Sequence, residues 1–137
     1  YSTIYFIFYI KREYMQYKSQ RIVMYEHLNS AGILFGGKAM SWIDEEAIIF
    51  AADLLESINI ATLKISEIKF ENPAKLGDIL LLGTKLSKIG TSTIAIECEI
   101  KNKTTNKVIV HVDEVVIVAL DENKKPTPHK LAKKINE

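Results

Sequence analysis

The sequence predicts an α+β fold in which one antiparallel sheet wraps around a single long helix. A segment from Lys38 to about Ile58, free of Gly and Pro, carries apolar residues at helical spacing. After it the chain reads as strand, in four apolar-alternating or β-branched segments one after another. No second long helix is legible, so this one has to cover the buried face of the whole sheet.

At 137 residues, 47% hydrophobic and 26% charged, the chain has the size and make-up of one globular domain. Residues 1 to 14 hold an apolar run, Ile4 to Ile10, well short of the roughly 20 residues of a membrane span. The positive charges Lys11 and Arg12 follow that run, whereas a secretory signal places them before it. This stretch is read as an extension outside the domain, disordered or not native to the protein, with Met15 opening the ordinary sequence.

A short strand is expected around Gln20 to Tyr25, then a loop at Asn29-Ser30-Ala31-Gly32, then Gly36-Gly37 just before the helix. Beyond the helix, Leu63 and Ile65, then Ile68 and Phe70, form two alternations whose phase changes between them, as a bulge produces. Pro73 and Gly77-Asp78 end that strand. Ile79 to Ile89 forms the next, interrupted by Gly83, and Gly90-Thr91 turns tightly into Thr93 to Lys101. There Ile94, Ile96, Cys98 and Ile100 alternate with Ala95, Glu97, Glu99 and Lys101, marking one buried and one wet face. The β-branched run Val108 to Leu120 is expected to close the sheet. The domain so drawn spans residues 15 to 128. A polar tail, 129 to 137, follows it, with a short helix or one helical turn expected near Leu131.

The net charge of +1, with acids and bases interspersed, offers nucleic acid no basic stripe. The single cysteine, Cys98, cannot make an internal disulfide and reads as a packed thiol in a reducing compartment, hence a cytoplasmic location. His27, His111 and His129 lack neighbours at metal-ligand spacing, so no metal is expected.

On a helical wheel with Ile43 at zero, Leu54, Ala47, Met40, Ile58, Ala51 and Leu55 fall between about 20° and 120° and form the buried stripe. Glu45, Glu46, Asp53 and Glu56 fall between about 200° and 300°, on the solvated side, together with Trp42 and Ile49. Asp44 falls at about 100°, between Ala51 and Leu55, the one acid of the helix inside the apolar stripe. Such acids concentrate at functional sites, although a carboxylate at the stripe's edge can equally reach solvent or a structural donor. Gly36 and Gly37 add backbone N–H groups at the positive end of the helix dipole, a place suited to a developing oxyanion.

The stretch Asn29-Ser30-Ala31-Gly32-Ile33-Leu34-Phe35-Gly36-Gly37, followed by Trp42-Ile43-Asp44, resembles the N-x-x-G-x-x-F-G-G motif and catalytic aspartate of the hotdog-fold acyl-CoA thioesterases, the YciA-like bacterial enzymes and their cytosolic relatives. Phe70-Glu71-Asn72-Pro73 with Gly77-Asp78, Ile89-Gly90-Thr91-Ser92 and Val118-Ala119-Leu120-Asp121 resemble further family segments, so the likeness runs from about Arg21 to Pro128. It implies hydrolysis of acyl-CoA to a free fatty acid and CoA, with no cofactor, since coenzyme A belongs to the substrate. Asp44 would be general base or nucleophile, Asn29 would orient the water or the carbonyl, and amides near Phe35, Gly36 and Gly37 would hold the oxyanion. Lys88, Gly90, Thr91 and Ser92 would meet CoA. The family places its site between two protomers, which implies a dimer, or a trimer of dimers, with Asn29 facing the partner's Asp44. Two departures bear on substrate range and phosphate contacts: Glu45-Glu46 stands where many bacterial relatives have small residues, and Thr91 stands in place of a common arginine. The alternatives are a non-catalytic acyl-CoA sensor and a hotdog hydroxyacyl-thioester dehydratase working through a histidine such as His27.

Overall fold

The computed structural model describes residues 14–135, so the expectation for the N-terminal extension lies outside it except at Tyr14. In chain order come β1 (Gln16–Ile22), a 3-10 turn (Tyr25–His27), α1 (Gly36–Leu55), β2 (Ile60–Phe70), β3 (Ile79–Ile89), β4 (Thr93–Asn102), β5 (Val108–Ala119) and a short α2 (Lys130–Ile135). The strands form one antiparallel sheet in the order β1-β3-β4-β5-β2, with α1 packed on its inner face.

Local signals build the middle of the sheet. The Gly90 N–H donates to the Thr93 carbonyl at 2.8 Å to close the β3–β4 hairpin. The Asn102 side chain accepts from the N–H groups of Thr104 and Thr105 to shape the β4–β5 loop. The outer strands are set by longer connections. After β2 the chain crosses through Pro73 and Gly77-Asp78 to start β3 beside β1, where Val23 exchanges backbone bonds with Gly77 and Asp78. Val108–Ala119 therefore lies inside the sheet, between β4 and β2, and does not close it.

The helix starts two residues earlier than its periodicity indicates and stops three earlier. Glu56 takes a left-handed conformation (φ 52°) and donates its N–H to the Ala52 carbonyl. That break involves neither Gly nor Pro, so the sequence carries no mark of it. Ile58, read as part of the stripe, is consequently 92% exposed.

The buried arc of α1 is wider than the wheel's apolar stripe. It runs from Trp42 through Glu46, Ala39, Ile43, Ala47 and Ala51 to Leu55, about 220° of the circumference. Trp42 is covered by the 3-10 turn, where His27 meets its ring edge-on at a centroid distance of 5.0 Å. Glu46, assigned to the solvated side, is buried against β1, where the Ser19 hydroxyl donates to it at 2.5 Å and the Arg21 guanidinium lies at 3.6 Å. A buried carboxylate is tolerable only with such partners. The fully buried alanines at 47 and 51 let the helix sit close to the sheet, in one core with Leu82, Leu86, Ile94, Ile96 and Val115.

The ladder of β2 slips between Thr62 and Lys64, ahead of the phase change expected between Ile65 and Ile68; there the register is kept and only the backbone of Glu67 turns left-handed (φ 57°). Gly83, read as an interruption of β3, seats the ring of Tyr17: a Cβ there would lie 2.7 Å from Tyr17 Cε1. The folded unit also continues past residue 128. His129 is buried with Leu131 and Ala132; its Nδ1 accepts from the Ala132 N–H, leaving Nε2 to donate to the Thr93 carbonyl at 3.0 Å. A tail polar by composition thus folds back on the β3–β4 turn, because two apolar residues and one histidine find partners there.

Candidate active site

Asp44 is the ninth residue of α1 and half-buried, flanked on the wheel by the buried Ala51 and Leu55. Thr62, third residue of β2, donates its hydroxyl to Asp44 Oδ1 at 2.5 Å. Among the described residues the second carboxylate oxygen has no hydrogen-bond partner. A charged acceptor held on one side by a short bond and open on the other can take a proton from a water or attack a carbonyl carbon. The sequence did not single out Thr62. The only hint was a hydroxyl side chain in the strand after the helix, and the slip that turns it toward Asp44 leaves no sequence mark.

Phe35 is the N-cap of α1, its N–H donated to the His27 carbonyl and its own carbonyl accepting from Lys38 and Ala39. Gly36 and Gly37 are thereby the first two helical residues, where no helical carbonyl can reach their N–H groups and the dipole end adds positive potential. Each glycine faces an aromatic ring: a Cβ on Gly36 would lie 3.3 Å from Phe70, and one on Gly37 2.7 Å from Phe35. Both rings are more than half exposed, so the amides sit in an apolar frame open to a ligand.

Asn29 shapes the loop ahead of the helix. Its Oδ1 accepts from the N–H groups of Ala31 (2.9 Å) and Ile33 (3.2 Å), leaving the side-chain NH2 as the group able to meet a ligand. No hydrogen bond joins Asn29 to Asp44 within the described chain. The Gly36 and Asp44 backbones are eight residues apart on one helix, about 12 Å. Glycine amides and carboxylate thus lie at opposite ends of a gap that one carbonyl group cannot bridge.

Lys88 is ion-paired with Glu114 at 2.8 Å; that hydrogen bond, and then the attraction of the opposite charges, raises the lysine's pKa and lowers the glutamate's. Gly90, Thr91 and Ser92 form the β3–β4 turn, and the Thr91 and Ser92 carbonyls are taken by the N–H groups of His129 and Ala119. The turn lies at the same end of the sheet as Thr62, since Ile117 pairs with Thr62 on one side and Ile94 on the other. Cys98 faces the helix, its thiol pushed up by burial and then by the carboxylates of Glu46, Glu97 and Asp44. Among the described residues no three His, Cys, Asp or Glu side chains are placed to share a metal, and no helix is long and apolar enough to cross a membrane.

A cavity of about 340 Å³ opens beside the start of α1, walled in part by Leu34, Ala39, Phe70, Ala74 and Val110. Phe70 connects it to Gly36. Asp44 is not part of its wall.

Comparison with known proteins places this arrangement. A family model described as the thioesterase superfamily matches residues 31–109, more than half of the chain. An uncharacterized acyl-CoA thioester hydrolase of Buchnera aphidicola is 35% identical over 77 residues, 56% of each chain, so the chain spans little more than half of that relative's length. Among solved structures, an acyl-CoA hydrolase of Staphylococcus aureus, described in complex with butyryl coenzyme A and coenzyme A, is 29% identical with a TM-score of 0.73, covering 81% of this chain and 66% of its own. A hexameric hotdog-fold thioesterase of Campylobacter jejuni superimposes with a TM-score of 0.72 at 24% identity, over 87% of this chain and 92% of its own. The sheet around α1 is the hotdog fold, and the chain belongs to the thioesterase superfamily.

Proposed function

We propose that the protein hydrolyses acyl-CoA thioesters to the free acid and CoA, with Asp44 as the reacting carboxylate. The observation that carries this reading is Asp44 itself, an acid inside the helix's buried arc, fixed by Thr62 and open at its second oxygen. As general base it would take a proton from water; the hydroxide adds to the thioester carbonyl, the N–H groups at Gly36 and Gly37 hold the oxyanion, and the C–S bond breaks as the CoA sulfur takes the proton from Asp44. As nucleophile it would add to the carbonyl and expel CoA as its thiolate, forming an acyl-aspartyl anhydride that water then opens to the free acid. The kinship with named acyl-CoA hydrolases supports the substrate class. His27 does not favour the dehydratase alternative, because its Nδ1 accepts from the Met24 N–H and its ring packs on Trp42.

The roughly 12 Å between Gly36 and Asp44 along one helix supports a site completed by a second copy. Among the described strands β2 is an edge, hydrogen-bonded to β5 alone, with Thr62 toward one end and Phe70 at the other. Antiparallel pairing of two such edges about a two-fold axis would bring the Thr62 end of one strand beside the Phe70 end of the same strand in a second copy. Asp44 would then face the glycine amides and Asn29 of that partner. The dimers would assemble further as a trimer, a count that fits the hexameric state of the C. jejuni thioesterase. The CoA phosphates would run toward the Gly90-Thr91-Ser92 turn at the Thr62 end of the sheet.

Release of free thiol from a panel of acyl-CoAs tests the reading. Asp44→Ala is expected to lose at least a hundredfold in rate, and Asn29→Ala to lose rate with little change in CoA affinity. A wild type that binds acyl-CoA and hydrolyses none would instead identify a sensor. Mixing the two variants should restore about a quarter of wild-type activity through heterodimers that keep one intact composite site; no recovery would place the site within one chain.

A further inference from the structure

We infer that His129 is a positioning residue for the CoA end of the substrate: it fixes the β3–β4 turn so that the turn's donors face a phosphate. The inference rests on the reading of that turn as the place where the CoA phosphates lie, and it gives the C-terminal segment a part in holding them. The carbonyls from Thr91 to Thr93 are all taken from within the chain. That of Thr91 accepts from the His129 N–H at 3.1 Å, and that of Ser92 from the Ala119 N–H at 2.7 Å. The Thr93 carbonyl accepts twice, from the Gly90 N–H at 2.8 Å and from the His129 ring at 3.0 Å. Among the described residues the N–H and hydroxyl groups of Thr91 and Ser92 make no hydrogen bond, so they remain as donors for an anion. In a planar trans peptide the N–H points opposite to the carbonyl, so holding the Thr91 carbonyl on His129 aims the Ser92 N–H away from the tail. The ring itself has one setting. Its Nδ1 accepts from the Ala132 N–H at 2.8 Å, which leaves the proton on Nε2 for Thr93, and it is buried with Leu131 and Ala132. The Thr127 N–H, bonded to the Ala119 carbonyl at 3.0 Å, fixes the chain just ahead of it.

The two ring nitrogens can be tested apart. His129→Asn keeps an acceptor at the place of Nδ1 for the Ala132 N–H and loses the reach to Thr93, whereas His129→Gln puts an amide NH2 at the distance of Nε2 and keeps that bond. The asparagine variant is expected to bind free CoA about three- to tenfold more weakly by calorimetry and to raise the KM for butyryl-CoA by the same factor, with kcat within about twofold. Its turnover of butyryl-N-acetylcysteamine, a thioester without phosphate, should not change. The glutamine variant should stay within about twofold of wild type throughout. His129→Ser, which caps the short helix in the same way, replaces the asparagine variant if that one does not fold. Equal losses with both thioesters would make His129 a structural residue and overturn the inference. So would unchanged CoA binding in a folded asparagine or serine variant, or a glutamine variant as weak as the asparagine one. A wild type that binds CoA and hydrolyses neither thioester defeats the thioesterase reading alone, and the calorimetry still decides the role of His129; a wild type that does not bind CoA defeats both.

Discussion

Thr62 donates its hydroxyl to Asp44 Oδ1, and this contact ties the candidate carboxylate to the sheet edge. A hydrogen bond to a charged group is worth about 1.5–3 kcal/mol. Thr62→Val, which keeps the shape and removes the donor, is expected to lower kcat by roughly tenfold to a hundredfold while leaving the fold intact, as steady-state kinetics beside a melting curve would show. Lys88 stands differently: it is exposed and already paired with Glu114, so Lys88→Ala should raise the KM for CoA esters by less than about threefold, the modest effect of a surface charge. Asp44 was legible because a wheel sorts one acid from the others by angle alone. Thr62 and Glu46 were not, because their surroundings come from strands 18 and 27 residues away in sequence, and helical periodicity holds no information about those.

Each element carries a contact that its own pattern does not announce. In β3, Gly83 clears the space for the Tyr17 ring, whose hydroxyl donates to Glu99 and whose face carries the Lys101 ammonium at 4.4 Å. Gly83→Ala forces that ring aside and should cost about 1–2 kcal/mol in urea unfolding, a loss that shrinks when Tyr17 is already alanine. In β4, burial of Cys98 keeps its thiol protonated in the folded chain, while the unfolded chain releases the proton at about pH 8.5. The folded state then binds more protons than the unfolded one, so stability is full below that pH and declines as pH rises beyond it. Cys98→Val should remove the onset near pH 8.5 and leave a later decline above about pH 10 from Tyr17, whose hydroxyl is likewise raised by burial and then by Glu99. The alternation of β4 and its hairpin turn were readable because both are local. The end of α1 at Glu56 was not, since only tertiary packing holds a non-glycine residue there in left-handed backbone.

At the scale of the whole molecule, the order of strands separates what a sequence can state from what it cannot. Neighbouring hairpins can be read from turns, but the pairing of β2 with β5 follows from how a helix and an eight-residue connection carry the chain from one edge of the sheet to the other. The result places α1 between two anchors on opposite sheet edges: Asp44 is bonded to Thr62 on β2, and two residues further on Glu46 is bonded to Ser19 and Arg21 on β1. Helix side chains end about 5–6 Å from the axis, so a roll of only 20° would carry the Asp44 carboxylate about 2 Å from its mark. Displacements of that size cost catalysts a hundredfold or more. The helix therefore acts like a shaft held at two bearings, and a fault in the far bearing, such as Ser19→Ala, should register as lost turnover at a site on the other side of the molecule.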